Sequence, residues 1–164
     1  MSNLSLIAIQ KLYDALDIPI EISTVDDRIL LQKSVYLSKK FEYNLGFCFG
    51  WYVQGPYSPE LTTSMYELYN NLQEILREGK DYSVHPRLLS RIDDLKSLMT
   101  VPTNVYLSKP EWLKLVSSII YLKQESYPHP DNIKEYLSNH KYFDSNKKLL
   151  RYYNIASTQI DTYL

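Results

Sequence analysis

A mainly α-helical domain carrying one small two-stranded β-hairpin is the fold this sequence predicts, on three observations. Apolar residues recur at helical spacing through most of the 164 residues. Strong helix-start signals, Ser58-Pro59-Glu60 and Ser108-Lys109-Pro110-Glu111, stand directly in front of such stretches. Only Phe47 to Val53, dense in aromatics and closed by Gly55-Pro56, reads as a convincing strand. The length suits a single domain over residues 1–164, large enough to bury roughly 70% of its unfolded surface without disulfides or metals.

The elements follow in order. Leu4, Ile7, Leu12 and Leu16 predict a first helix ending before Ile18-Pro19. Ser23-Thr24 caps a second, from about Val25 to Phe41, with Ile29, Leu31, Val35, Tyr36 and Phe41 inward and Lys33, Lys39 and Lys40 on or near the solvent side. Asn44-Leu45-Gly46 breaks the chain before the strand. Gly55-Pro56 forces a turn, because Gly reaches backbone angles closed to other residues and Pro fixes the next φ. Ser58 then caps a third helix, Pro59 to Glu78, with Gly79 as its C′ residue.

Asp81 to His85 is a candidate second strand, pairing with the first to give a hairpin or wing. A fourth helix starts at Pro86 and runs through Ile92 and Leu95 to Met99. The Ser108–Glu111 capping box opens a fifth, apolar helix through Trp112, Leu115, Val116, Ile119 and Ile120, expected to be the most buried. Tyr127-Pro128-His129-Pro130 is a stiff link before a short helix, Asp131 to Asn139. The last helix starts at Asp144 or Ser145 and runs through Leu149, Leu150, Tyr153, Ala156 and Ile160. The stretch from Thr100 to Leu107 is the weakest seam of the domain.

Composition narrows the function classes. Tyrosine supplies 16 of the 22 aromatic residues, and its apolar ring with a polar tip suits half-buried and interface positions. An AT-rich codon bias accounts equally well for that excess. A net charge of −1 gives no global attraction to DNA or to an anionic membrane. The single cysteine, Cys48, fits a reducing compartment. With no apolar run of membrane-spanning length and no basic leader, the expected location is cytoplasmic.

No motif points to catalysis. His85, His129 and His140 lack an i, i+4 partner, and Cys48 has no neighbouring ligand, so neither a metal nor a cofactor is expected. Ser58 stands outside any nucleophile motif, and capping explains it. Cys48 within an apolar strand is expected to act as a small hydrophobe. Four glycines leave no phosphate loop, and Asp26-Asp27 and Asp93-Asp94 suit helix ends or a solvated face better than an acid pair.

Two binding readings remain. Trp51, Tyr52 and Tyr57 surround a rigid turn, as aromatic anchors of a protein interface do, although packing of the strand onto the third helix would explain the same residues. Lys141, Lys147, Lys148 and Arg151, interleaved with Tyr142, Phe143, Tyr152 and Tyr153, make a candidate nucleic-acid surface. With the hairpin as wing, that arrangement would be winged-helix-like, its basic helix entering a groove.

Three stretches carry a resemblance. Leu31-Gln32-Lys33-Ser34-Val35-Tyr36-Leu37 resembles the LQKxxYL helix of the Panacea (SocA-like) antitoxin domain and the related YwgA-like small bacterial proteins. Gly55-Pro56-Tyr57-Ser58-Pro59-Glu60-Leu61 is similar to their GPYSxEL turn, and Trp112 to Lys123 followed by Asn132 to Asn139 is similar to the YwgA-like W…ASIxYL helix and its successor. Ser34-Val35 and Ser117-Ser118 depart from relatives that are more apolar or alanine-rich there. The resemblance implies a mostly helical protein of prokaryotic conflict systems, which neutralises toxins by binding them or serves as an adaptor for proteolysis.

It carries over no catalytic residue. Gln32, Lys33, Tyr36, Gly55, Pro56, Tyr57, Ser58 and Glu60 come across as framework or surface positions. The expectation is therefore a non-enzymatic binding subunit, antitoxin-like or accessory, whose partner-binding residues are Trp51, Tyr52, Tyr57, Glu60 and Lys33. Its partner would be a protein encoded nearby, a toxin, nuclease or ATPase subunit. The alternative is the nucleic-acid binder using Lys141, Lys147, Lys148 and Arg151.

Overall fold

Ten α-helices and one hairpin make up residues 2–164, the part of the chain that the computed structural model describes. Helix α1 (Asn3–Ala15) is capped by Ser2, and α2 (Val25–Lys40) opens on a full capping box between Thr24 and Asp27. Both end in the same way without glycine. Asp17 and Glu42 take positive φ, of 57° and 70°, and the following amides of Ile18 and Tyr43 bond back to the carbonyls of Tyr13 and Ser38. That is the Schellman arrangement, and it stops α2 before the expected break at Asn44-Leu45-Gly46.

The hairpin differs from the expected one. Strand β1 (Gly50–Tyr52) pairs antiparallel with β2 (Gly55–Tyr57), in the register Gly50 to Tyr57, Trp51 to Pro56 and Tyr52 to Gly55. Val53 and Gln54 make the two-residue turn, so the Gly-Pro pair lies in the second strand. Asp81 to His85 forms no strand. The competing choice won because Gly55, at φ 98°, lets the chain double back immediately, and only two residues then need closing. Cys48 correspondingly lies before β1 and is exposed, not packed in a strand.

The expected third helix is two helices. Helix α3 (Pro59–Asn70) stops at Asn71, whose side-chain amide donates to the Glu67 carbonyl, and α4 (Leu72–Glu78) restarts from there. Asparagine competes with the backbone for its hydrogen bonds, so a helix breaks readily at such a residue. Gly79 ends α4 with ordinary right-handed angles, not as a left-handed C′ residue. Its role is space: a Cβ there would lie 3.1 Å from Ile7 Cγ2 of α1 and 3.0 Å from the Ile75 carbonyl.

A single 3-10 turn over Pro86–Leu88 leads into α5 (Leu89–Met99). Helix α6 (Lys109–Gln124) has the Ser108–Glu111 capping box and buries ten of its sixteen residues, as expected for the central helix. Helix α7 (Ile133–Ser138) is capped by Asn132. Helix α8 (Lys141–Ser145) begins before the expected start of the last helix at Asp144 or Ser145, and that helix is itself broken into α9 (Lys147–Leu150) and α10 (Tyr153–Tyr163); none of the three has a side-chain cap.

One core runs through the protein, and every helix contributes to it. Its axis is α2 lying along α6, with β2 and α10 also resting on α6. The polar tips of two of its largest side chains are tied off, as burial demands. Tyr13 Oη donates to the Leu31 carbonyl at 3.0 Å, and Trp112 Nε1 donates to the Leu98 carbonyl at 2.9 Å. Val105 and Leu107 are buried in this core, which binds the Thr100–Leu107 connector to it. No helix among the described residues is long and apolar enough to cross a membrane.

Candidate functional site

The first two stretches of the resemblance meet in space. Three-residue strands are too short to hold themselves, and α2 supplies the missing fixings. Gln32, buried on α2, pairs with both backbone groups of Ser58: Nε2 donates to the carbonyl at 2.8 Å, and Oε1 accepts from the amide at 3.1 Å. The same Nε2 donates to Thr62 Oγ1 at 2.9 Å, which is 2.6 Å from Tyr57 Oη. From the next residue, Lys33 Nζ donates to the Pro56 carbonyl at 2.7 Å. Ser58 also caps α3, accepting from the Leu61 amide.

From the other side, β2 is pressed onto α6. A Cβ at Gly55 would lie 2.4 Å from Ser118 Oγ and 3.6 Å from Lys33 Nζ. Gly55 thus answers two demands at once, a positive φ and an approach in which a Cβ would displace the Ser118 hydroxyl. Ser118 Oγ is buried with no hydrogen-bond partner.

The expected surface residues divide into three groups. Trp51 is half-buried, stacked on Tyr121 with ring centroids 5.6 Å apart and edged by His140 at 5.5 Å and Tyr136 at 6.4 Å. It packs the hairpin onto α6 and the α7–α8 region. Tyr52 is 47% exposed and Val53 67%, at the tip, and Tyr57 meets the Tyr52 ring edge-on at 5.0 Å. Glu60 is exposed at the start of α3. Lys33 is only 3% exposed, so it does not stand on the solvent side and offers no surface to a protein partner.

Burial, and then the nearby Lys114 ammonium, lower the Lys33 pKa to about 7. Lys114 is itself buried, with Nζ 2.6 Å from Tyr142 Oη. Among the described residues neither lysine has a carboxylate partner, an unusual condition for buried cations.

Two recesses flank the hairpin tip. One, of about 340 Å³, lies between the hairpin, α2 and α3; Arg28, Gln32, Lys33, Tyr57, Thr62 and Tyr66 are among its walls. The other, of about 660 Å³, lies toward α8 and includes Trp51, His140, Lys141 and Tyr142. Tyr52 and Val53 border both. Burial pushes the His140 pKa down, and its Nδ1 is buried without a partner.

The basic residues do not form one helix, and only Lys141 borders the hairpin. Lys141 is on α8, Lys147 and Lys148 on α9, and Arg151 in the turn before α10; all are exposed. Lys148 pairs with Glu111. Burial raises the Glu111 pKa, but hydrogen bonds from Lys148 and Ser108 outweigh it and leave that carboxyl below its usual value. Glu135 and Asp144 share a recess with Lys134 and Lys147, so carboxylates interleave with the cations. No group of three His, Cys, Asp or Glu side chains among the described residues is placed to hold a metal ion.

Arg28, Tyr66, Ser118, Tyr121, Tyr136 and His140 were not singled out in the sequence as parts of this region. For Arg28 and Lys33 a signal existed. Ile29, Gln32, Lys33 and Tyr36 fall at i, i+3, i+4 and i+7, which puts Lys33 on the buried stripe, with Arg28 bordering it. No protein-family model, curated protein or solved structure matches the chain.

Proposed function

We propose that this chain is a non-enzymatic, cytoplasmic binding subunit. In this reading it is an antitoxin-like or accessory component of a prokaryotic toxin–antitoxin or phage-defence system. The hairpin tip engages a protein partner encoded nearby. The observation that carries the proposal is the tip itself: exposed Tyr52 and Val53, with half-buried Tyr57 behind them, on a hairpin braced from α2 and α6. Rigid aromatic anchors lose little entropy on binding, which makes them effective centres of an interface. Exposed Tyr66 and Tyr69 on α3 extend the same apolar edge.

Trp51 is assigned to holding the tip in place and Tyr52 to contact. The test is co-expression of the tagged chain with the products of its adjacent genes. A stoichiometric complex is expected, lost on combining Tyr52→Ala with Val53→Asp while the circular dichroism and melting temperature of the free chain hold. A complex that survives those changes removes the tip from the interface. Retardation of duplex DNA at low salt, abolished by charge reversal at Lys141, Lys147 and Arg151, would transfer the function to nucleic acid.

A further inference from the structure

The smaller recess is built like a ligand site. Its volume of about 340 Å³ lies within the range of small-molecule pockets, and its walls are mostly apolar or aromatic with a few polar groups. Those polar groups are not equally available. Both ends of the Gln32 amide are engaged by Ser58 and Thr62, and the Thr62 and Tyr57 hydroxyls engage each other.

Two cations line the same recess, and no Asp or Glu does. Arg28 is half-buried and gives one donor to the Ile22 carbonyl at 2.7 Å; among the described residues it has no carboxylate partner. Lys33 is buried beside a second cation, Lys114, with a single carbonyl to hold it. Val25 and Ile29 on α2 and the rings of Tyr52 and Tyr66 supply an apolar lining around that positive end.

We propose that this recess binds a small monocarboxylate with an aromatic or branched apolar body, its anion facing Arg28 and Lys33 and its body against Ile29, Tyr52 and Tyr66. The carboxylate supplies the counter-charge the lysine lacks, and the mostly apolar lining suits an acid with an apolar body better than a phosphate dianion, whose oxygens would all need hydrogen bonds. The amine that sheds its proton near pH 7 in the empty site keeps it when an anion is present, so binding at pH 8 takes up a proton.

The free protein is titrated with phenylacetate, indole-3-acetate and 4-methylpentanoate, and with the amide of each. Backbone NMR shifts and calorimetry in buffers of different ionisation enthalpy are the readouts. At least one acid is expected to bind at about 1 mM or tighter, shifting the amides of Arg28, Lys33 and Gly55, with its amide about tenfold weaker. Lys33→Met is expected to abolish the proton uptake at pH 8, and Arg28→Gln to weaken binding about tenfold. Equal affinity for acid and amide overturns the proposal without any variant. So does the absence of shifts at those residues with all three acids.

Discussion

The hairpin and its braces contrast with the C-terminal quarter, α7 to α10. Around the hairpin, long capped helices present buried amide and amine groups to a short strand pair, and hydrogen bonds join Gln32, Lys33, Tyr57, Ser58 and Thr62 into the brace. In the C-terminal quarter, helices of six, five and four residues precede α10, and their basic side chains face solvent. The difference teaches where a single residue is decisive. A braced hairpin has no slack, whereas the solvent-facing side chains of the short helices can change at little cost, unlike their buried Leu137, Phe143 and Leu149.

Gly55→Ala is the strongest way to break the first region. The new Cβ meets a positive φ and Ser118 Oγ together, for an expected loss of about 4 kcal/mol in urea unfolding. Gly46→Ala sharpens the point, since φ is 84° there but nothing lies within 4 Å of the new atom. That variant should cost about 1 kcal/mol, and an equal cost at both sites would show that the close approach contributes nothing.

Gln32→Leu comes next. It strands the buried amide of Ser58, while the Ser58 carbonyl keeps the Thr62 amide, for an expected cost of about 2 kcal/mol by the same measurement. A loss below that of an ordinary surface substitution would mean that water replaces the clamp.

Lys33 adds a pH dependence. Its folded pKa, lowered to about 7 by burial and by Lys114, lies well below that of an unfolded lysine. Between pH 7 and about 9.5 the unfolded chain therefore holds more protons at this site, and stability rises with pH by about 1 kcal/mol per unit. Below pH 7 both states are charged and the slope vanishes. Lys33→Met should flatten the rise, and an unchanged pH profile of unfolding would remove Lys33 as its source. In the C-terminal quarter, Lys148→Ala breaks an ion pair whose lysine is half-exposed, so its effect should stay below about 1 kcal/mol.

The same contrast explains what was legible in the sequence. Capping signals act over three or four residues, so Thr24, Ser58 and Ser108 announced their helices correctly. Breaks made by asparagine, at Asn71 and Asn146, compete with helix propensity by small margins and were read through. The hairpin register was missed because Val53-Gln54 is not a turn sequence; the positive φ it needs is supplied by Gly55, one step later. Lys33 reads as a solvent-side residue by its type, since lysines are almost never fully buried, although its spacing from Ile29 and Tyr36 sets it on the inner stripe.

The Gln32–Ser58 pairing has a further consequence. A primary amide presents a donor and an acceptor side by side, as one residue of a neighbouring strand does. From the standpoint of Ser58, a helix side chain imitates a third strand at a single point, where the hairpin ends and α3 begins. Glutamate is the same size but carries two acceptors, so it would turn one of the two bonds into a repulsion of the Ser58 carbonyl. The position is thereby restricted to a residue that can act as a peptide group, and the docking of α2 on the hairpin is written in backbone language by a side chain.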